Sequence, residues 1–275
     1  MATQTITFIG GGNMASSLIG GLIADGTRGE TLWVSDPDEE RLGTLSEHFD
    51  VHTTGDNREA ATRGETVIFA VKPQVMADVV REVAGELKRR QPLIVSIAAG
   101  VREPDIRRWL GYDAAIVRVM PNTPALLRTG ASGLYANAKV SPAQRNRAES
   151  VLRAVGVTVW LEDEGLMDAV TAVSGSGPAY FFLLMELMER AGNDLGLPRE
   201  TARLLTLQTA MGAAKMALES ADEPAALRER VTSPGGTTER ALQTLLEGGL
   251  ERLITDALRA ARERATELGE MLGRK

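Results

Sequence analysis

The stretch from Ile6 to Gly26 reads "ITFIGGGNMASSLIGGLIADG": a short apolar and β-branched run, a cluster of glycines, and then a helical pattern. Met14, Leu18 and Leu22 are spaced by four residues, which places them on one face of a helix. The stretch therefore predicts a strand, a tight turn and a helix in succession, which is how an α/β sheet commonly begins.

The glycine cluster has the spacing Gly10-x-Gly12-x-x-Ala15, which is the dinucleotide-binding fingerprint when it joins a strand to a helix. Gly10 permits the tight turn, Gly12 lets a pyrophosphate approach the backbone, and Ala15 lets the helix pack closely on the strand. The anion then binds the free N–H groups at the helix N-terminus. We therefore expect the coenzyme to contact these glycines and their neighbours Ile9, Asn13 and Met14.

The end of the second predicted strand, "VSDPD", bears on which dinucleotide is bound. An acidic side chain at this position accepts a hydrogen bond from the adenosine ribose 2'-hydroxyl and repels a 2'-phosphate, so Asp36 favours NAD(H). Ser35 and Arg41 would suit a 2'-phosphate. NAD(H) and NADP(H) are therefore both candidates.

The rest of the chain divides into a part with strands and a part without. Apolar runs such as "VIFAV" and "LIVSIA" are typical of a parallel sheet covered on both faces. We predict an α/β fold: an N-terminal Rossmann-like, doubly wound domain over residues 1–162, followed by an all-α C-terminal dimerisation domain over residues 163–275. The predicted strands are Thr5 to Ile9, Leu32 to Ser35, Val67 to Val71, Leu93 to Ala98, Ile116 to Met120 and Val157 to Leu161.

Five helical patterns follow, over residues 178–192, 198–220, 223–231, 237–247 and 250–272. The segment from Tyr180 to Met188 is apolar almost all round, which a small helical domain cannot easily cover by itself. We expect another subunit to cover it. The alternative is that it forms the central helix of its own domain.

The composition limits the classes of partner and chemistry. The net charge of -6 and the pI near 5.2 offer no general attraction to nucleic acid or to anionic lipid, so neither is expected as a partner. The absence of cysteine excludes disulfides, thiolate nucleophiles and cysteine metal ligands. The only histidines, His48 and His52, lie in a short polar stretch, and no metal site is expected.

The beginning of the chain, "MATQTITFIGGG", lacks the basic start and the apolar run of a signal peptide. No stretch approaches the roughly 20 apolar residues of a membrane span. A cytoplasmic protein is therefore expected.

Three loops directly follow predicted strands, where α/β proteins bind their ligands beyond the carboxyl ends of the strands. They are "AVKPQ" (Ala70 to Gln74), "IAAG" (Ile97 to Gly100) and "MPNTP" (Met120 to Pro124). For each loop taken alone, the alternative is an ordinary turn. The coenzyme contacts expected in these loops are Ala70, Val71, Lys72, Pro73, Ala98, Ala99, Met120 and Asn122, and Asn57, which precedes the third predicted strand, is a further expected contact.

A second glycine cluster, "SPGGTT" over residues 233–238, leads into a helical pattern near the end of the chain. Unpaired backbone N–H groups at Gly236, Thr237 and Thr238 would suit a small carboxylate. The alternative is that the threonine hydroxyls only cap the helix.

Together these strings carry a family resemblance. "AVKPQ", "VSIAAGV", "RVMPNTPALLRTG", "AVSGSGPAYFF" and above all "VTSPGGTTERALQTLLEGG" resemble the pyrroline-5-carboxylate reductases, the last enzymes of proline synthesis. The resemblance covers essentially the whole chain in the expected order. It implies the reduction of 1-pyrroline-5-carboxylate to L-proline by NADPH or NADH.

The resemblance also implies roles for residues of the second glycine cluster. Thr238 would hydrogen-bond the ring nitrogen as the catalytic residue, while Ser233, Gly235, Gly236 and Thr237 would hold the substrate carboxylate. Ser176 would contact the substrate and, together with Met120 and Asn122, would shape the nicotinamide pocket. In such enzymes the site forms at the interface of a homodimer, and family members commonly build a decamer of five dimers.

Asp36 departs from the family, whose members often carry a serine with nearby basic residues there, and this weakens a carried-over NADP preference. Some members also contact the substrate through a glutamate. Both Glu219 and Glu223 are candidates for that position, and neither aligns clearly.

Two other functions compete. A β-hydroxyacid dehydrogenase would need a lysine on the helix after "SGSGP", and "AYFFLLMELMERAG" contains none. A non-catalytic dinucleotide-sensing module would need no second anion-binding loop, whereas "SPGGTT" is suited to an anion.

Overall fold

A computed structural model describes residues 4–275. Residues 1–3 lie outside the described residues; they belong to the predicted nucleotide-binding domain and to the N-terminal stretch compared above with a signal peptide. The chain forms two compact units. The first runs to Ser176 and takes in Ala260–Lys275, and the second is Gly177–Arg259. The domain boundary between residues 162 and 163 stays a prediction.

The first unit is built around an eight-stranded sheet with helices between most of its strands. The strand order is β3-β2-β1-β4-β5-β6-β7-β8. The elements in chain order are β1 (Ile6–Ile9), α1 (Asn13–Ala24), β2 (Leu32–Ser35), α2 (Glu39–Phe49), β3 (His52–Thr54), α3 (Asn57–Ala61), β4 (Thr66–Phe69), α4 (Met76–Arg90), β5 (Leu93–Ser96), α5 (Glu103–Leu110), β6 (Ile116–Met120), β7 (Gly130–Ala136), α6 (Pro142–Arg153), β8 (Gly156–Leu161) and α7 (Met167–Val170).

Strands β1 to β6 pair in parallel, and side chains on both faces of β1, β2, β4, β5 and β6 are buried. Alternate residues point to opposite faces of a strand. Phe8 packs in the core on one face while its neighbour Ile9 packs in the core on the other. The predicted doubly wound α/β architecture is confirmed, and all six predicted strands are present with slightly different ends.

Two strands of the sheet, β3 and β7, were not predicted. β3 is three residues long and polar, so it carries no hydrophobic pattern. β7 contains Gly130 and Gly133, a residue type that is depleted in strands. The glycine at 133 leaves room for Val170, whose Cγ1 would lie 2.8 Å from an added Cβ.

β7 also reverses the direction of the sheet. It pairs antiparallel with β6, and β8 pairs parallel with β7. As a result, Leu161 at the end of β8 pairs with Tyr135, which pairs with Arg118 in the middle of β6, and β8 runs towards the end of the sheet where β6 begins. The chain therefore leaves the sheet at the edge opposite the carboxyl ends of β1 to β6.

The second unit consists of helices. They are α8 (Gly177–Asp194), α9 (Arg199–Glu219), α10 (Pro224–Arg230) and α11 (Thr237–Glu247), and α12 (Leu250–Gly273) runs from this unit into the residues of the first. All five predicted helical segments are confirmed. Many large apolar side chains of the second unit are exposed, including Phe181, Phe182, Leu183, Leu187, Met188, Leu204, Leu205 and Met211.

The last turns of α12 pack within the first unit, where Ala265 and Gly269 are buried. Gly269 lies so close to the loop after β5 that an added Cβ would be 3.0 Å from the carbonyl oxygen of Gly100. Thr266 Oγ1 donates a hydrogen bond of 2.8 Å to Asp168. The end of the chain thus covers a loop at the carboxyl edge of the sheet.

The burial of Tyr112, just after α5, can be tested through the pH dependence of stability. Burial raises its pKa to about 12 from the ordinary 10.0, and its buried hydroxyl has no hydrogen-bond partner within residues 4–275. The folded protein holds this proton more tightly than the unfolded chain, so stability that is fully present below pH 10.0 is lost as the pH rises towards 12.

We expect Tyr112→Phe to match or exceed the unaltered protein in stability at pH 7, because a buried hydroxyl without a partner is removed. The variant should also lose less stability between pH 9 and pH 11, as measured by urea unfolding. A loss of more than about 1 kcal/mol at pH 7 would contradict the absence of a partner for this hydroxyl.

Candidate functional site

Gly10 sits where β1, β2 and β4 end side by side. Its φ is +99°, a conformation that favours glycine, and its N–H donates a hydrogen bond of 2.7 Å to the carbonyl of Ser35. A Cβ at this position would lie 2.7 Å from the carbonyl oxygen of Ala70. Only glycine fits this turn, as its place in the fingerprint predicts.

Gly12 has a different role. It is the N-cap of α1, with φ -67° and no side-chain cap, and an added Cβ would meet no atom within 4 Å. The space beside the Gly12 backbone is therefore open, and within residues 4–275 the N–H groups of Asn13 and Met14, in the first turn of α1, have no acceptor. A cavity of about 280 Å³ beside the turn is lined by Gly11, Gly12, Asn13, Ser16, Asp38, Glu40, Arg41, Thr44 and Leu45. The arrangement fits the pyrophosphate and ribose of a dinucleotide.

The carboxylate of Asp36 is buried beside this cavity, where the residue is 5% exposed. Its Oδ2 accepts a hydrogen bond of 2.7 Å from the N–H of Gly11, and its Oδ1 accepts one of 3.0 Å from the N–H of Asp38. Arg41 pairs with Asp36 at 3.2 Å and with Asp38 at 3.4 Å. Asp36 therefore links the glycine turn to the start of α2.

Ser35 and Asn57, two further residues predicted to contact the coenzyme, contact each other. The fully buried Ser35 donates its hydroxyl proton to Asn57 Oδ1 at 2.9 Å. Asn57 in turn donates to Glu82 at 3.0 Å. The hydroxyl of Ser35 is thus already used as a donor within the chain.

The loops after β4 and β5 lie at the same edge of the sheet as the glycine turn. The N–H of Ala70 donates to Ile9 at 2.8 Å, and Val71 would contact a Cβ on Gly10 at 3.0 Å. The structure therefore brings together Ile9, Gly10, Ala70 and Val71. Of the remaining predicted residues in these loops, Lys72 and Ala99 are exposed, Pro73 is half-buried and Ala98 is buried.

The loop after β6 is joined to the segment that precedes α8. Asn122 accepts a hydrogen bond of 2.9 Å from the N–H of Ala131 and donates one of 3.2 Å to the carbonyl of Ser174. Met120 packs into the space that the missing side chain of Gly175 leaves. The side-chain amide of Asn122 therefore holds this loop in place, and the coenzyme contact predicted for it stays a prediction.

The segment that contains Ser174 and Ser176 has an unusual backbone. Residues Thr171–Gly175 form one turn of π-helix, and the N–H of Ser176 donates to the carbonyl of Thr171 at 2.8 Å. Such single π-turns often occur at functional sites. This turn places Ser174, two residues before Ser176, against Asn122 in the loop that follows β6.

A buried ion pair anchors the other end of the same segment and was missed from the sequence. Arg118 on β6 pairs with Glu164 at 2.6 Å, and Glu164 also accepts a hydrogen bond of 2.7 Å from the N–H of Glu103. Burial, followed by the charges of Glu164 and Glu103, raises the pKa of Tyr135. An arginine inside the apolar run "IVRVM" was the available signal, because a buried charge requires a partner.

The second glycine cluster precedes α11. Gly235 has φ +72°, and Gly236 is the N-cap, without a side-chain cap. The N–H of Gly235 donates to Glu239 at 2.7 Å, and that of Gly236 donates to the carbonyl of Ser233 at 2.9 Å. Within residues 4–275, the N–H groups of Thr237 and Thr238 have no acceptor.

Two expectations for this cluster are corrected. The N–H of Gly236 is not free, because the turn at Ser233 uses it. The threonine hydroxyls do not cap the helix, because α11 begins at Thr237 and both threonines are its first helical residues rather than its N-cap. The predicted anion site is therefore reduced to the N–H groups and hydroxyls of Thr237 and Thr238.

Across residues 4–275, none of the helices is long and apolar enough to cross a membrane. The same residues contain no group of three or more His, Asp or Glu side chains that is placed to hold a metal ion.

Comparison with protein families matches both parts of the chain. Residues 164–268 match the family "Pyrroline-5-carboxylate reductase dimerisation". Residues 5–100 match the family "NADP oxidoreductase coenzyme F420-dependent".

Similar proteins cover the full length of the chain. The pyrroline-5-carboxylate reductase of Pseudomonas aeruginosa is 55% identical over 99% of this chain and 100% of its own length. A solved pyrroline-5-carboxylate reductase from Coxiella burnetii is 48% identical, with a TM-score of 0.93 over 97% of this chain and 98% of that one. The pyrroline carboxylate reductase of Plasmodium falciparum, solved with NADP bound, is 28% identical, with a TM-score of 0.86 over 98% and 99% of the two chains.

Proposed function

The chain belongs to the pyrroline-5-carboxylate reductase family, and from that premise we propose that it reduces 1-pyrroline-5-carboxylate to L-proline with NADH or NADPH. The observation that carries the proposal is the match to the Pseudomonas aeruginosa reductase, 55% identical across both parts of the chain. The glycine turn at Gly10 and Gly12 provides the physical support, because it is shaped for a dinucleotide.

The competing functions lack comparable support. The reaction of a β-hydroxyacid dehydrogenase needs a lysine on the helix after "SGSGP", and α8 contains none. A dinucleotide sensor gives no reason for a second helix N-terminus with unpaired N–H groups at Thr237 and Thr238.

The nucleotide-binding residues position the coenzyme. The free N–H groups of the first turn of α1, beside Gly12, bind the pyrophosphate, since the helix N-terminus favours an anion. Asn122 fixes the loop after β6 against Ser174, so that Met120 keeps its position at the edge of the sheet. When bound, the dihydronicotinamide supplies the hydride.

The cluster before α11 binds the substrate in this proposal. The N–H groups of Thr237 and Thr238 hold the substrate carboxylate, and the hydroxyl of Thr238 orients the ring nitrogen. Gly235 contributes its left-handed conformation, and its N–H is held by Glu239. Ser233 closes the turn by accepting from Gly236.

The reduction of the imine needs no further catalytic group beyond those that bind the coenzyme and the substrate. Once its nitrogen is protonated, the cyclic imine has an electrophilic C=N carbon that accepts a hydride, and the nitrogen keeps its proton as the amine of proline. The protein accelerates the reaction by holding the two reactants in register and by stabilising charge. Thr238 is accordingly an orienting group rather than a nucleophile.

Thr238→Ala is expected to lower kcat/KM by about 5- to 150-fold, which corresponds to a lost hydrogen bond of about 1–3 kcal/mol. Thr238→Ser keeps the hydroxyl and should retain most of the activity. The Kd for coenzyme in the binary complex should be the same in both variants. Unchanged turnover and affinity in Thr238→Ala would remove this role.

The function itself is tested by mixing the protein with the imine and with NADH or NADPH in turn, and following the absorbance of the dihydronicotinamide. We expect loss of absorbance and formation of proline. No oxidation of either coenzyme would contradict the reductase and favour the sensor.

The protein forms a homo-oligomer and acts on a small molecule. We propose a dimer formed through the exposed apolar side chains of the second unit, such as Phe181 and Met188. The decamer, the cytoplasmic location and the absence of nucleic-acid partners stay predictions.

A further inference from the structure

The groups around the end of β2 bear on a choice that the reaction leaves open, because either coenzyme delivers the same hydride. We infer that this chain selects NADH over NADPH and that Asp36, together with its contacts to Gly11 and Arg41, is the specificity-determining group. The inference rests on the proposed function only in taking a nicotinamide dinucleotide as the coenzyme.

The two side chains that would suit a 2'-phosphate are used within the chain. The hydroxyl of Ser35 is buried and donates to Asn57 at 2.9 Å, so it has no proton left for a phosphate oxygen. The guanidinium of Arg41 is shared between two carboxylates, at 3.2 Å from Asp36 and at 3.4 Å from Asp38. A phosphate would have to compete with both carboxylates for one cation.

The net charge beside the cavity also opposes a phosphate. Asp38 and Glu40 line the cavity, and Asp36 is hydrogen-bonded to Gly11, which also lines it. Within the described residues, Arg41 is the only cationic residue that lines this cavity. Three carboxylates against a single guanidinium leave a negative environment, and a like charge in a partly buried site is repelled.

The same geometry suits a free ribose hydroxyl. The N–H of Gly11 fixes the carboxylate of Asp36 beside the pyrophosphate-binding turn, at 2.7 Å. The contacts of Arg41 to Asp36 are long, at 3.2 and 3.4 Å, and the side chain of Arg41 is 46% exposed. A 2'-hydroxyl displaces this exposed contact and donates to Asp36, while the short bond from Gly11 keeps the carboxylate in place.

The test measures binary binding, which needs no catalysis. The full-length protein is titrated with NADH, NADPH, ADP and 2',5'-ADP by calorimetry. We expect NADH to bind at least 10-fold more tightly than NADPH, and ADP more tightly than 2',5'-ADP. NADPH binding as tightly as NADH, or more tightly, would overturn the inference.

Asp36→Ser removes the acceptor and releases Arg41 from one of its carboxylates. We expect this variant to bind NADH at least 10-fold more weakly and NADPH at least 10-fold more tightly than the unaltered protein does. Adding Arg41→Ala should abolish the gain for NADPH, because Arg41 provides it. A gain that survives without Arg41 would contradict the mechanism.

Two further variants test whether overall charge, rather than Asp36 itself, sets the coenzyme preference. Glu39→Ser removes an exposed carboxylate of α2 that does not line the cavity, and it should leave the NADH/NADPH ratio unchanged. A shift equal to that of Asp36→Ser would show that overall charge sets the preference and would overturn the inference. Arg41→Ala alone keeps Asp36 in place, so it should widen the preference for NADH even if Asp36→Ser fails to fold.

The inference about coenzyme preference and the proposed reductase activity can be contradicted independently of each other. A protein that binds NADH selectively but does not reduce the imine would contradict the proposed function and support this inference. A protein that reduces the imine but binds NADPH at least as well as NADH would do the reverse.

Discussion

Gly10→Ala is expected to abolish dinucleotide binding and to lower the free energy of unfolding by about 2–4 kcal/mol, because a strained φ and an overpacked Cβ both cost energy. The φ of +99° is costly for alanine, and its Cβ would lie 2.7 Å from the backbone oxygen of Ala70. Relief requires the ends of β1 and β4 to separate. Urea unfolding and calorimetric titration with NADH measure the two effects.

Gly12→Ala is the matched variant for this experiment. Its φ of -67° suits alanine, and an added Cβ would meet no atom within 4 Å. The methyl group would instead occupy the space in which a pyrophosphate approaches the backbone. We expect unchanged stability with at least 10-fold weaker binding of NADH. A Gly12→Ala protein that binds NADH normally would place the pyrophosphate elsewhere.

The second large effect is expected on α8. Leu184→Glu/Met188→Glu introduces two charges one helical turn apart, where the side chains are 42% and 52% exposed. Monomeric proteins rarely expose contiguous apolar patches larger than a few hundred Å². We therefore expect the oligomer to dissociate into monomers, with reductase activity reduced at least 100-fold. Light scattering during size-exclusion chromatography measures the mass.

Leu127→Glu is the control, because Leu127 is 81% exposed but belongs to the first unit. It should leave the mass and the activity unchanged. An unaltered protein that is already a monomer would contradict dimerisation through the second unit, as would a double variant that keeps its full mass.

The sequence predicts most elements of this fold because their patterns are local. The apolar runs of β1, β4 and β5 are buried on both faces, and the glycine turn after β1 has one geometry that its spacing specifies. β3 and β7 lack such a pattern. Their pairing depends on neighbours distant in the chain, such as Trp33 beside His52 and Arg118 beside Tyr135.

The site was predictable in its residues but less so in their contacts. Asp36 was identified from its place at the end of β2, whereas its bond to Gly11 spans 25 residues of sequence and has no local signature. The same holds for Ser35 with Asn57 and for Asn122 with Ser174. Which N–H of the "SPGGTT" turn stays free depends on a single turn at Ser233, and helix periodicity does not specify it.

The path of the chain through its two units has a practical consequence. The chain passes into the helical unit after Ser176 and comes back at Ala260, so the helices form an insertion with two covalent attachments. Cutting the gene short after the last strand would also delete the end of α12, which lies against Gly100 and contacts Asp168. A nucleotide-binding module intended for transplantation into another protein must therefore carry residues 260–275, joined through an artificial loop or added as a separate peptide.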